Sequence, residues 1–256
     1  NITPQNVSQR WCLLLFLVLF AACAPKPVPT PTPPVIPVSD PQAAPPTIRK
    51  ELYICMVSEP EDLFLYSSPH FTATAVHHAL YENLYTTLDY DYQAQGLAKL
   101  PNLDDGDAVV NQVMVQSGDT VVDANGRLTT LTAGTMLLDA EGTPFVFNGE
   151  PVELPQMVVD FRLKPMVWSD GTAVTATDSV FSYEVAAYYD ADSQPITHTG
   201  SYTAVDRHTV RWTGLPGWLD QIYFRNVWTP LPQHQLAHHE MAELADLFGP
   251  NPETPI

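Results

Sequence analysis

The chain of 256 residues is long enough for one or two domains with a sizeable core, and 45% hydrophobic with 10% aromatic residues is a globular composition. Its formal net charge is -18, from 11 Lys and Arg against 29 Asp and Glu. That balance excludes a nucleic-acid-binding surface, which needs a basic stripe, and suits a soluble extracellular one.

Arg10 precedes an apolar run from Trp11 to Ala22. The run is too short to span a bilayer comfortably and has the length of a signal-peptide core, so residues 1–22 read as a signal peptide. It ends at Ala21-Ala22-Cys23, small residues before a cysteine that resemble a bacterial lipobox, with Phe20 where Leu is usual. On that reading Cys23 is lipid-modified and becomes the first mature residue, tying the protein to the membrane through a lipid anchor. An ordinary signal peptide with an incidental Cys is the alternative. Residues 23–48 then form a Pro-rich linker, because proline at the density of Pro25 to Pro46 favours extended polyproline II and acts as a semi-rigid spacer. The 3 cysteines make no disulfide framework. Cys12 lies in the signal core, Cys23 is the lipid site, and Cys55 reads as a small buried hydrophobe in a strand.

Residues 49–256 carry the fold. Lys50 to Ser58 alternates Leu52, Ile54 and Met56 with Tyr53, Cys55 and Val57, apolar on both faces, which predicts a central buried strand. It runs into a loop, Ser58-Glu59-Pro60-Glu61-Asp62-Leu63, where proline ends the strand. Phe71 to Leu88 predicts an amphipathic helix, with Val76, Leu80 and Leu84 in one stripe. His77 and His78 are adjacent, point in different directions, and read as packing or surface residues. From Gln95 to Leu154, Asp123-Ala124-Asn125-Gly126, Asp139-Ala140-Glu141-Gly142 and Phe147-Asn148-Gly149 are hairpin-grade turns in a module of short strands. Asp104-Asp105-Gly106-Asp107 lacks the spaced ligands and distal Glu of a calcium loop and reads as a solvated turn.

Val159 to Glu184 is the most structured stretch. Val159, Phe161 and Leu163 alternate with Asp160, Arg162 and Lys164, a half-buried strand. Ser169-Asp170-Gly171 supplies a tight turn, and Thr175 stands three residues before Asp178, a capping-box spacing with Asp for the usual Glu or Gln. Val180, Phe181, Val185 and Tyr188 then fall at helical spacing. Beyond it, Ser201–Val205 and His208–Trp212 flank Asp206-Arg207 as a hairpin, and Gln235 to Leu247 predicts a helix.

Trp168-Ser169-Asp170-Gly171-Thr172, Val174-Thr175-Ala176 and Asp178-Ser179-Val180-Phe181-Ser182-Tyr183-Glu184 together resemble the signature of the peptide/nickel-type (family 5) extracellular solute-binding proteins of bacterial ABC importers. Lys164-Pro165-Met166-Val167 departs from it, where the family has a basic–acidic–Gly turn about one residue longer. Three further stretches are similar to family segments: the Glu59-Pro60 loop, Tyr81-Glu82-Asn83-Leu84, and Pro232-Gln233-His234. The resemblance implies an α/β fold, the first lobe of a two-lobed periplasmic-binding-protein-like architecture, with residues 95–154 as a β-hairpin-rich insertion. It implies ligand contact at the first loop, here Ser58, Glu59, Pro60 and Leu63, and a signature stretch that acts as scaffold. The implied partners are a peptide or other small solute, the ABC permease subunits and the membrane, with no cofactor and no enzymatic activity. Location is then extracytoplasmic, at the outer face of the cytoplasmic membrane.

Other chemistry is poorly represented. There is no nucleophile elbow, phosphate loop or dinucleotide glycine pattern. His234 and His238, four apart with His239 and Glu243 nearby, are the best metal candidates but lack the His-Glu-x-x-His pattern, so no metal is assigned. Tyr66, Tyr81, Tyr85, Trp168, Trp218, Tyr223 and Trp228 offer rings for a cleft or a core. A secreted hydrolase and a structural surface lipoprotein are the alternatives. The first needs a convergent catalytic set, and the second needs no closing cleft.

Overall fold

The computed structural model describes residues 55–60, 62–66, 70–88 and 90–248. The signal peptide, Cys23 and the Pro-rich linker lie outside those residues. The chain divides into two units between Tyr53 and Ile54, and every described residue belongs to the second.

The unit mixes helix and strand, as expected. In chain order its elements are helix α1 (Phe71–Leu80) and strands β1 (Tyr85–Thr86), β2 (Gln93–Ala94), β3 (Ala108–Val115), β4 (Thr120–Val122), β5 (Leu128–Thr130), β6 (Met136–Leu138), β7 (Pro144–Val146) and β8 (Val152–Arg162). There follow helices α2 (Ala176–Tyr189) and α3 (Gln194–Thr197), strands β9 (Thr199–Ala204) and β10 (Thr209–Gly214), and the short helix α4 (Gln233–Leu236). Tyr223–Arg225 and Met241–Phe248 are 3-10 segments.

One antiparallel sheet, in the order β3-β8-β10-β9, organises these elements. The alternation read in Val159 to Leu163 sets its faces. Met157, Val159 and Phe161 point into a core with Tyr202, Val210 and Trp212, which Ala176 and Ala186 of α2 and Trp228 help to close. Asp160 faces the other way and takes a bidentate bond from Arg211, at 2.7 Å from Nε and 2.8 Å from Nη2.

The hairpin-rich region forms as the turn residues dictate. Asp123 Oδ1 accepts from the backbone N–H of Asn125 and Arg127, and Asp139 Oδ1 does the same for Glu141 and Thr143. These Asx turns close the β4–β5 and β6–β7 hairpins over a core of Val115, Val121, Leu131, Leu137, Phe147 and Leu154. The hairpins are not detached from the sheet. The strands that flank them, β3 and β8, pair from Ala108↔Val159 to Val115↔Val152.

Four expectations are corrected. Residues 50–54 lie outside the described residues, but Cys55 to Ser58 form no strand with described ones, and Cys55, Met56 and Val57 are exposed. No described strand lies beside them to cover either face, so Cys55 is not a buried hydrophobe here. The first helix stops at Leu80 rather than Leu88. The chain beyond it changes partner: the Leu84 carbonyl accepts from Gln95 and Leu97, and the Asn83 carbonyl accepts from Gly96. Leu84 is thereby carried into the sheet core. Gly96 permits the approach, because a Cβ there would stand 3.1 Å from the Asn83 oxygen. The helix over Gln235–Leu247 is two short pieces, α4 and Met241–Phe248. Leu236, Leu244 and Phe248 all pack in one cluster; an unbroken helix would bring Glu240 onto that face, and the break leaves it exposed. Finally, β8 begins at Val152, well before Val159.

Candidate functional site

The turn and cap of the signature stretch form as read. Trp168 N–H donates to the Thr172 carbonyl at 2.8 Å, and Gly171 takes the positive φ of 86° that the turn requires. Asp178 Oδ2 accepts from Thr175 N at 2.7 Å and from Thr175 Oγ1 at 2.8 Å, fixing the start of α2. The same carboxylate reaches further, since its Oδ1 accepts from Gln233 N at 3.1 Å. Asp170 Oδ2 accepts from His234 Nε2 at 2.8 Å and from Gln235 Nε2 at 3.2 Å. The Thr172 backbone N–H, and then His234, hold the Asp170 carboxyl well below the usual carboxylate range. Two stretches 55 to 64 residues apart in sequence are therefore bound to each other at the turn and at the start of α2.

Two buried serines on α2 extend this attachment. Ser179 Oγ donates to the Trp228 carbonyl at 2.5 Å, and Ser182 Oγ donates to the Thr229 carbonyl at 2.5 Å. Spaced one helical turn apart, they grip consecutive carbonyls. Tyr202 closes the first contact into a ring: Trp228 N–H donates to its hydroxyl at 3.2 Å, and that hydroxyl donates to Ser179 Oγ at 2.8 Å. Tyr66 donates to Ser182 Oγ at 2.5 Å in the same way. Burial pushes both tyrosine hydroxyls far above their ordinary pKa, so they remain proton donors. Both serines stand in the signature stretch, but their acceptors lie 49 and 47 residues away and no local spacing points to them.

The segment so held forms one wall of a cleft of about 410 Å³. Its other walls are Leu63, Leu80, Tyr81, Glu82, Met166, Val167, Trp168, Ser169, Val174 and Phe248, with Thr229, Pro230 and Pro232 on the held side. Leu80 and Val167, 62% and 69% exposed, make an apolar rim. Inside, burial pushes the Tyr81 hydroxyl up to about 12, and Trp168 Nε1 is buried without a hydrogen-bond partner among the described residues. An apolar cleft with a few polar groups in its wall is suited to a ligand that brings apolar surface.

Of the four loop residues expected at a ligand, Leu63 lines this cleft, Pro60 is buried, and Ser58 and Glu59 are exposed and line no part of it. Leu63 is clamped on both sides: its N–H donates to the Phe248 carbonyl at 2.7 Å, and its carbonyl accepts from His77 Nε2 at 3.0 Å. Tyr81 and Trp168 are the aromatics among the seven that reach the cleft, whereas Tyr66, Tyr85, Trp218, Tyr223 and Trp228 pack in or against the core. Trp168 and Ser169 also bring the signature turn to the cleft wall, alongside its scaffold role. Among the described residues no group of three or more His, Cys, Asp or Glu is placed to hold a metal, and His234 is engaged by Asp170. In the acidic turn, Lys99 Nζ lies 2.6 Å from Asp105 and 2.5 Å from Asp107. No helix among the described residues is long and apolar enough to cross a membrane.

No family model matches the chain. No curated protein matches it either. Among solved structures, it is similar to parts of peptide-binding proteins. The oligopeptide-binding protein of Thermus thermophilus, complexed with a pentapeptide, is 15% identical over 70% of this chain and 24% of its own, with a TM-score of 0.44. The oligopeptide-binding protein AppA of Bacillus subtilis, in complex with a nonapeptide, is 17% identical over 75% of this chain and 29% of its own, with a TM-score of 0.38. NikZ of Campylobacter jejuni, in complex with Ni(L-His), is 21% identical over 50% and 24%, with a TM-score of 0.28. The chain thus spans about a quarter of the length of these structures. They are proteins of the peptide- and nickel-type family that the sequence resembles.

Proposed function

We propose that the chain is part of an extracytoplasmic solute-binding protein of a bacterial ABC importer, and that the cleft beside Trp168 contacts its solute, a peptide or a similar small molecule. One observation carries this reading. The four stretches that resemble the family are scattered along the sequence, and each contributes to one cleft: Leu63, Tyr81 with Glu82, Trp168 with Ser169, and Pro232. The volume of about 410 Å³ lies in the range of small-molecule sites. Glu82 is the one carboxylate among the described lining residues. On the same reading Cys23 carries the lipid anchor at the outer face of the cytoplasmic membrane, the Pro-rich linker spaces the domain from it, and the loaded protein delivers solute to permease subunits.

The test is calorimetry and tryptophan fluorescence on the full-length protein with a panel of short peptides and oligosaccharides. At least one member should give saturable heat and a fluorescence change that Trp168→Phe removes. A panel that gives no heat with any member defeats the proposal.

A further inference from the structure

β3 presents an open sheet edge. Ala108 to Val115 contains no charged residue, no Pro and no Gly, and pairs with β8 in unbroken register on one side only. Two bonds at its start decide which backbone groups are free. The Asp107 carbonyl accepts from Asp160 N on β8 at 2.7 Å, whereas Ala108 N–H turns the other way, to the Asn102 carbonyl at 3.1 Å. Antiparallel alternation then points the N–H and C=O of Val110, Gln112 and Met114 away from β8. Among the described residues none of these groups has a partner. Val110 and Met114 are 39% and 63% exposed, and Gln112 is exposed between them. Sheet edges of this length are normally blunted by a Lys, a Pro or a bulge, and β3 has none of the three.

We infer that this edge takes up an extended peptide segment by strand addition, apolar in its middle and basic at its ends. The six free backbone groups supply the pairing, and the uncharged side chains of β3 accept apolar neighbours on both faces. Charge selects the occupant. Asp104, Asp105 and Asp107 stand at one end of the strand, with Lys99 offsetting one of the three charges. Asp119 and Glu153 stand at the other, Glu153 directly opposite Met114 on β8. An antiparallel second copy centred on Gln112 would bring the Asp104–Asp107 end of one chain beside the Asp119 end of the other, like charges facing like. A basic-ended peptide meets opposite charges instead. β3 contributes nothing to the cleft at Trp168, so this site stands apart from the proposed solute contact.

The test uses the full chain and a fluorescent nonapeptide with two Lys at each end and alternating Val and Thr between them, followed by anisotropy at low salt. Saturable binding is expected, and bound peptide should protect the amides of 110, 112 and 114 from hydrogen exchange while those of 109, 111 and 113 stay as they were. Gln112→Pro removes one outward N–H, a change an edge strand tolerates, and Met114→Lys places a charge on the edge; each should weaken binding about tenfold or more. Glu in place of the four Lys should abolish binding, and Trp168→Ala should leave it unchanged. Met114→Lys decides the matter should Gln112→Pro fail to fold. The inference is overturned by equal affinity for the Met114→Lys variant, by unchanged exchange at the three amides, or by equal binding of the Glu peptide. Self-association of the free chain that protects the same amides overturns it too, by making a second copy the occupant.

Discussion

Ser179→Ala tests whether α2 holds the cleft wall through the hydrogen-bonded ring. The ring runs from Trp228 N–H to the Tyr202 hydroxyl, on to Ser179 Oγ, and back to the Trp228 carbonyl. Ser179 is 0% exposed and Tyr202 is 4% exposed, so no solvent replaces what is lost. Removing the serine hydroxyl strands two buried groups, the Trp228 carbonyl and the Tyr202 O–H, at about 1–3 kcal/mol each. The expected loss is about 2–4 kcal/mol, allowing for the serine's own desolvation. Tyr202→Phe strands only the Trp228 N–H, about 1–2 kcal/mol, because Ser179 keeps its bond to the carbonyl. In the double variant the tyrosine hydroxyl is no longer there to be stranded, so the two effects should sum to about 1 kcal/mol less than the singles. Urea unfolding followed by fluorescence measures all three; at an m-value of about 2–3 kcal/mol/M, Ser179→Ala should lower the midpoint by about 1 M. A Ser179→Ala loss under about 0.5 kcal/mol, or a strictly additive cycle, would refute the ring as a unit.

Three further outcomes are expected. Asp170 is ionised in the fold well below the ordinary carboxylate pKa, so its contribution to stability is present above about pH 4 and lost as the pH falls through the folded value; Asp170→Asn should flatten the acid limb of the stability profile, and an unchanged limb would rule Asp170 out. Gly217→Ala should cost at least about 2 kcal/mol by urea unfolding, because the residue has a φ of 85° and a Cβ would stand 2.5 Å from the Val122 carbonyl oxygen. Asp178→Ala should lose about 2–3 kcal/mol by the same measurement, since one buried carboxylate serves the α2 cap and the Gln233 N–H, whereas Asp178→Asn should recover part of it.

What the sequence made legible was local. The period-two alternation of Val159 to Leu163, the Gly171 turn and the Thr175–Asp178 spacing each encode their own geometry within a few residues, and all three form. The Asp- and Asn-led turns from Asp123 to Gly149 are readable for the same reason. Leu84 was misread because helical spacing from Val76 and Leu80 cannot reveal that its backbone pairs with Gln95 and Leu97 instead. Glu240 shows the converse: the cost of burying it, visible only once Leu236, Leu244 and Phe248 share a core, breaks a helix that propensity alone would continue. The cleft was legible in its parts and not as a whole. Leu63, Tyr81, Trp168 and Pro230 come together through long-range bonds whose partners no spacing rule predicts.

The hydrogen bond from Leu63 to Phe248, together with the packing of Phe64 on Phe248 at 5.2 Å between ring centroids, has an engineering consequence. The path from Leu63 to Phe248 returns to its own starting point, so a linker of about two or three residues should join those positions without moving either. New ends could then be opened in an exposed turn such as Glu141-Gly142, where the glycine's surroundings are empty. Such a circular permutant would place the cleft wall at Phe248 and Leu63 in the middle of a continuous chain. It would also show how far that wall depends on the residues that precede and follow it in the natural order.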